Sequence, residues 1–217
     1  MTNLIIVRHA ESQFNLQNRI QGHQDSALTK LGLRQSRLLA KRFKNSHIDK
    51  VYTSDLGRAY STALEITKFL KIKVQLDPYL REIHLGAWEG MTPEEVDTLY
   101  DKGYQKWLKK PSACRIPKGE LLADFRKRIS GRVRSIALAH RGKTVLIVTH
   151  GGAITALLSD WLKADFDTLL LNLHLENTGV TLVEETAERV RLHAINDTAH
   201  LSSKEKSGFN IFNRIRR

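Results

Sequence analysis

The chain's 217 residues, 41% of them hydrophobic, are enough to enclose one sizeable core, and a single cysteine, Cys114, excludes both an internal disulfide framework and a cysteine-rich zinc site. That cysteine usage suits a reducing compartment, and the cytoplasm is the expected location. A formal charge of +12 attracts anions of any kind; with no nucleic-acid-binding motif beside it, the charge is read as a solvated basic surface or as the mark of an anionic small-molecule substrate, not of a specific nucleic-acid partner.

Met1 to Val7 is a short apolar run that meets Arg8 and His9 at once, which leaves no room for a signal-peptide core and cleavage site. Within it Leu4-Ile5-Ile6-Val7 is apolar at every position, as expected of a central strand covered on both faces, and the strand carries His9 at its carboxyl end. Thr29 reads as the N-cap of a helix from about Lys30 to Lys44, with Leu31, Leu38, Leu39, Ala40 and Phe43 on its apolar stripe. A second strand, Asp49 to Thr53, ends at Ser54 and is followed by a helix from Arg58 through Leu70. Val74 to Leu76 is a third short strand, and Asp77 to Thr92 has turn residues and no clean period, as an ordered loop would. Helices are predicted again at Pro93 to Tyr100 and Leu121 to Arg141.

Thr144 to Thr149 is the clearest buried strand, and it too ends at a histidine, His150, before Gly151-Gly152 and a helix from Ala153 to Lys163. That helix is broken by Asp160 and Lys163, well short of the ~20 apolar residues of a membrane span, so no transmembrane segment is expected. Gly179 to Glu184 and Arg189 to Ile195 read as a strand hairpin at the sheet edge. Strands alternating with helices predict an α/β fold, a three-layer sandwich whose mostly parallel central sheet has helices on both faces. One domain covers residues 1–201. Residues 202–217 form a basic tail, read as frayed or loosely docked, with Phe209, Ile211, Phe212 and Ile215 among arginines as the alternative signature of a short amphipathic segment.

In an open α/β sheet, ligands gather beyond the carboxyl ends of the strands, and here two strands each deliver a histidine to that edge. Arg8 adjoins His9, and Arg58 opens a helix just after the second strand, so two guanidiniums can converge there and bind phosphate through paired N–H donors. Taken singly, Arg58 could equally be a surface residue paired with Asp55.

The run Leu4 to Asn15, with Arg8-His9-Ala10-Glu11 at its centre, resembles the Arg-His-Gly-Glu opening of the histidine phosphatase superfamily, also known as the phosphoglycerate mutase-like fold; Ala10 replaces the usual glycine. The resemblance continues through Gln21-Gly22, Leu28-Thr29, Tyr52 to Ala59, Leu80 to Gly90, Pro117 to Glu120 and Val148 to Gly151, and extends to about Leu201. It implies His9 as a nucleophile that becomes phosphohistidine, Arg8, Arg58 and His150 around the phosphoryl oxygens, and Glu82 as the proton donor. It also implies that Ser12, Asn15, Gln21, Gly22 and the backbone N–H of Gly151 line the phosphate or substrate pocket.

Such chemistry needs charge stabilisation at three equatorial oxygens, which two arginines and a second histidine can supply where other enzymes use Mg²⁺, so neither metal nor cofactor is expected. Surrounding cations should lower the pKa of His9, and a backbone carbonyl on its other nitrogen would fix the tautomer. His47, His140, His174 and His193 are read as surface or structural; His84 and Trp88 either shape substrate access or pack within the Glu82 loop; His200 resembles a family segment that returns toward the pocket; Cys114 has no catalytic role to fill. The Leu80 to Gly90 segment is similar to broad-specificity bacterial phosphatases, so hydrolysis of a phosphorylated small molecule is the expected activity. A cofactor-dependent phosphoglycerate mutase and a non-catalytic phospho-ligand-binding module are the alternatives, and the oligomeric state is left open.

Overall fold

The computed structural model describes residues 1–207. In chain order its elements are β1 (Thr2–Arg8), α1 (Gln13–Leu16), α2 (Lys30–Phe43), β2 (Lys50–Thr53), α3 (Gly57–Thr67), β3 (Val74–Leu76), α4 (Pro93–Leu99), α5 (Gly103–Lys109), α6 (Leu122–Ala139), β4 (Thr144–Thr149), α7 (Gly151–Leu162), α8 (Phe166–Asn172), β5 (Val180–Glu185) and β6 (Val190–Asp197). The six strands form one mixed sheet in the order β3-β2-β4-β1-β5-β6. The β3-β2-β4-β1 portion is parallel and the β5–β6 hairpin adds antiparallel at one edge, as the sequence predicts. Among the described residues, no helix is long and apolar enough to cross a membrane.

Successive side chains of a strand point to opposite faces, and the central strands use both. Val145 and Ile147 of β4 enter one core, with Leu4, Ile6, Phe125, Ile129 and Leu157, under α6 and α7. Leu146 and Val148 enter the other, with Val7, Leu39, Phe43, Ala63 and Ile66, under α2 and α3. That is the three-layer sandwich, and it explains why β1 and β4 read as unbroken apolar runs.

Most differences from the predicted elements lie at their ends. The second helix stops at Thr67 rather than Leu70, the helix predicted from Leu121 to Arg141 runs only from Leu122 to Ala139, and the helix placed from Ala153 already begins at Gly151. The helices α1, α5 and α8 and the 3₁₀ turns at Pro78–Leu80, Gly86–Trp88 and Pro111–Ala113 are too short for a period to show, and α5 and α8 lack the Pro at N1 and the capping box that mark the equally short α4.

The tail begins docked. Gln35 Nε2 donates to Glu205 O at 2.8 Å, Ser207 Oγ bonds Asn177 Oδ1 at 2.9 Å, and Arg34 pairs with Glu205 at 2.7 Å. Residues 202–207 are therefore part of the folded body, because the side chains of Gln35 and Asn177 take up their polar groups. The apolar and basic residues from Phe209 onward lie outside the described residues.

Helix α2 fixes the loop after β1. Thr29 caps it, accepting from Gly32 N at 2.9 Å, and its hydroxyl donates to Glu11 Oε1 at 2.6 Å while Thr29 N donates to Glu11 O at 3.0 Å. A Cβ on Gly32 would stand 2.0 Å from Glu11 O, a backbone atom that cannot rotate away. Gly32→Ala is accordingly expected to destabilise the fold by ~1–3 kcal/mol, read as a lowered thermal midpoint. An unchanged midpoint would mean that the loop is free to move.

Candidate active site

Strands β1 and β4 are neighbours, with Arg8 opposite Thr149, so their next residues, His9 and His150, emerge side by side beyond the same edge. Their ring centroids are 5.2 Å apart. His9 is anchored on all sides: its N–H donates to Thr149 O at 2.8 Å and its carbonyl accepts from Asn177 Nδ2 at 2.8 Å. The next peptide N–H, of Ala10, donates to Thr62 Oγ1 at 3.0 Å.

His9 Nδ1 lies 2.7 Å from Ala10 O. A carbonyl can only accept, so Nδ1 carries the proton and Nε2 keeps its lone pair. Burial holds His9 well below the usual imidazole pKa, and Arg58 and Arg8 push it further the same way. His150 is lowered likewise by burial, then by Arg58, His9 and Arg8. Both rings are thus neutral in the folded protein.

That asymmetry has a sign in stability. Above the unfolded-chain pKa of about 6.5 neither state binds these protons and nothing is lost. As pH falls below it, the unfolded chain takes up protons that the folded chain refuses, and stability drops by up to ~1.4 kcal/mol per pH unit for each ring. The urea midpoint is expected to fall between pH 7 and pH 5, and less steeply in His150→Gln. A midpoint level across that range in the parent protein would contradict neutral burial of the two rings.

Arg58 is 1% exposed, although it sits in the first turn of α3. Its Nη2 donates to Gly22 O at 2.7 Å and its Nη1 to Gln24 O at 2.8 Å and Asp25 Oδ1 at 3.3 Å. Asp25 also accepts from the N–H groups of Gly57 and Arg58, so a carboxylate from a distant loop caps a helix whose own N-cap, Leu56, has no side-chain acceptor. The surface pairing of Arg58 with Asp55 does not occur: Asp55 is held by Arg81 instead, at 2.7 Å from Nε. Arg8 Nη1 donates to Leu175 O.

Among the described residues, Arg8 Nε, Arg58 Nε and both ring nitrogens of His150 are buried without a hydrogen-bond partner. Buried polar atoms are seldom left unpaired, and so many around one histidine call for an external group. A cleft of about 260 Å³ opens there, lined by Arg8, His9, Arg58, Gln21, Glu82 and Gly151 among others. A tetrahedral oxyanion suits it, because its lining carries the guanidiniums of Arg8 and Arg58 and the imidazole of His9.

Glu82 faces His9 across this cleft. Its carboxylate accepts from Gly152 N at 2.9 Å and Ile83 N at 3.0 Å, at the amino end of α7. Its backbone carbonyl accepts from His23 Nε2 at 2.9 Å and Arg128 Nη2 at 3.2 Å. Arg128 Nη1 further grips the carbonyls of Tyr79 and Arg81, at 2.9 and 3.1 Å.

Of the predicted pocket residues, Gln21 and Gly151 line the cleft. Ser12 and Asn15 do not: Ser12 caps α1 with Asn15 in a reciprocal box, and its hydroxyl lies 2.8 Å from Gln21 Oε1. Gly22 lends Arg58 a carbonyl; its φ of +51° and the Glu89 carboxylate 2.1 Å from where a Cβ would stand demand glycine. His174, read as surface or structural, is on the cleft wall. His200 is not; it bonds Thr178 Oγ1 at 3.0 Å, and burial lowers its pKa to about 4. His47, His140 and His193 keep peripheral contacts, with Asp49, Tyr52 and Glu184. His84 stacks on His23 at 4.7 Å, and Trp88 is 4% exposed, packed edge-on to Trp107. Sequence reading missed Asp25, Thr62, Arg128 and Asn177, which touch the site only through other residues; each lies outside a strand end, so nothing local marks it.

Comparison with known proteins places the chain in a family. The family model of the histidine phosphatase superfamily, branch 1, matches residues 4–198. The chain is 32% identical to phosphoserine phosphatase 1 of Hydrogenobacter thermophilus over 93% of its length and 95% of that protein. It is 37% identical, over 73% of this chain and 74% of the other, to a Photorhabdus laumondii protein named as a probable phosphoglycerate mutase, GpmB. The solved structure of YhfR from Bacillus stearothermophilus superposes with a TM-score of 0.89 at 33% identity, covering 93% of this chain and all of that one. The chain belongs to branch 1 of the histidine phosphatase superfamily.

Proposed function

We propose that the protein hydrolyses phosphate monoesters of small molecules through a phosphohistidine on His9, with Glu82 as the proton donor. The observation that carries this reading is the set of unpartnered buried donors of Arg8, Arg58 and His150 around a histidine whose tautomer leaves Nε2 free. In the first step Nε2 attacks phosphorus, the ester P–O bond breaks, and the proton of the Glu82 carboxyl goes to the departing alkoxide oxygen. In the second, Glu82 as carboxylate takes a proton from water, which attacks phosphorus; the N–P bond breaks and orthophosphate leaves. Charge on the equatorial oxygens is met by Arg8, Arg58 and His150, fixed in place before the reaction.

The phosphatase name of the Hydrogenobacter relative supports hydrolysis over transfer back to substrate. The test is turnover of p-nitrophenyl phosphate in excess EDTA, with quenched samples checked for enzyme-bound phosphate. Expected are EDTA-resistant release of orthophosphate and a label that is stable in alkali and lost in acid, the behaviour of an N–P bond. Interconversion of 2- and 3-phosphoglycerate, dependent on 2,3-bisphosphoglycerate and without orthophosphate release, would replace the reading by a mutase; phosphate binding with neither label nor turnover would replace it by a binding module.

A further inference from the structure

Arg81 to Leu85, the segment that carries Glu82, is neither strand nor helix, so its peptide groups must find partners elsewhere in the fold. Arg128, on α6, meets them. Its Nη1 donates to Tyr79 O and Arg81 O at 2.9 and 3.1 Å, and its Nη2 to Glu82 O at 3.2 Å. The remaining two N–H groups go to Glu120, Nη2 to Oε1 at 2.6 Å and Nε to Oε2 at 3.4 Å. All five donors of the guanidinium are thus in use. Glu120 Oε1 in turn accepts from His84 N at 2.9 Å, and Glu120 N donates to His84 O at 2.9 Å. The pair therefore grips the backbone on both sides of Glu82. The guanidinium also lies over the ring of Phe125, 5.2 Å from its centroid and one turn back on the same helix, which fixes its plane.

Arg128 does not line the cationic cleft; it lines an outer groove with Asp77, Tyr79 and Arg132. Any effect it has on the reaction must pass through Glu82. That carboxylate has little latitude: it accepts from Gly152 N, and a Cβ on Gly152 would stand 2.5 Å from Glu82 Oε1. A misplacement of about 1 Å can cost ~10²-fold in rate, because proton transfer needs hydrogen-bond distance to the departing oxygen. We infer that Arg128, with Glu120, is a positioning residue that sets the Glu82 carboxyl against the departing ester oxygen. This rests on Glu82 as the proton donor and adds the device that aims it. A lysine cannot take over, because its donors sit on a single atom and cannot span Tyr79 O, Glu82 O and Glu120 at once.

The experiment is a double-mutant cycle read in kcat/KM, which reports the step that phosphorylates His9. It uses two esters: ethyl phosphate, whose alkoxide needs a proton to depart, and p-nitrophenyl phosphate, whose phenolate does not. In Arg128→Lys the ethyl ester is expected to lose roughly 30-fold and the nitrophenyl ester less than about 3-fold. Added to Glu82→Gln, the same substitution should cost less than about 3-fold on either ester, because the amide has no acid proton to aim. A merely structural role would lower both esters alike, or multiply with Glu82→Gln; either result overturns the inference. Glu120→Gln, which keeps the shape and removes the charge, should lower the ethyl ester roughly 5-fold by the same route, and it carries the test if Arg128→Lys does not fold. Equal losses on both esters in that variant overturn the inference as well. If Glu82→Gln lowers the ethyl ester and Arg128→Lys does not, the inference falls alone. If Glu82→Gln leaves the ethyl ester at the parent rate, Glu82 is not the proton donor, and that reading and the inference fall together.

Discussion

His9→Ala is expected to lower p-nitrophenyl phosphate turnover by at least about ten-thousand-fold and to abolish the acid-labile phosphoenzyme. The size follows from the role: the covalent route loses its acceptor atom, and water attacking directly would have to enter the space the ring fills, without a base set to receive its proton. Because Arg8 and Arg58 are held by Leu175 O, Gly22 O and Gln24 O and not by His9, the variant should keep its affinity for orthophosphate. The effect is thus expected in kcat with binding preserved, measured as turnover beside calorimetric titration with phosphate. Residual turnover near the parent rate would remove His9 as the nucleophile.

Glu82→Gln separates the two proton transfers. Loss of a general acid typically costs 10²–10⁴-fold, and alkyl esters, whose alkoxides need a proton to depart, should show all of it. p-Nitrophenolate leaves without help, so phosphorylation of His9 from that ester should persist while water attack stalls for want of a base. The expected trace is a burst of p-nitrophenol equal to the enzyme concentration, then slow turnover, with phosphoenzyme accumulating. Stopped-flow absorbance with quench analysis reads both. Equal activity of parent and variant on both ester types would show that Glu82 moves no proton in the rate-limiting steps. The glutamine retains only one strong acceptor for Gly152 N and Ile83 N, so a small loss of order in the loop is expected as well.

Much of the architecture was legible because it is written locally. Leu4 to Val7 and Thr144 to Thr149 announce buried strands by unbroken apolar runs, Thr29 announces a helix by its cap, and His9 and His150 are conspicuous because each follows such a strand directly. Arg8, Arg58, Gln21 and Gly151 line the cleft. Ser12 and Asn15 show the limit: a motif names the residue, but the Ser-x-x-Asn spacing is also that of a capping box, and in the fold they serve as one.

What the sequence by itself determined is therefore the six strands and the helices α2, α3, α4, α6 and α7, the sheet's predominantly parallel sense, and the residue types presented at its carboxyl edge. Only the tertiary structure decided that β4 inserts between β1 and β2, which sets His9 beside His150 although 141 positions separate them in the chain. It alone decided that Asp25 buries Arg58 and that Arg128 holds the Glu82 loop. Those arrangements depend on packing between distant segments, and packing is a property of shape and volume that no local pattern of residues encodes.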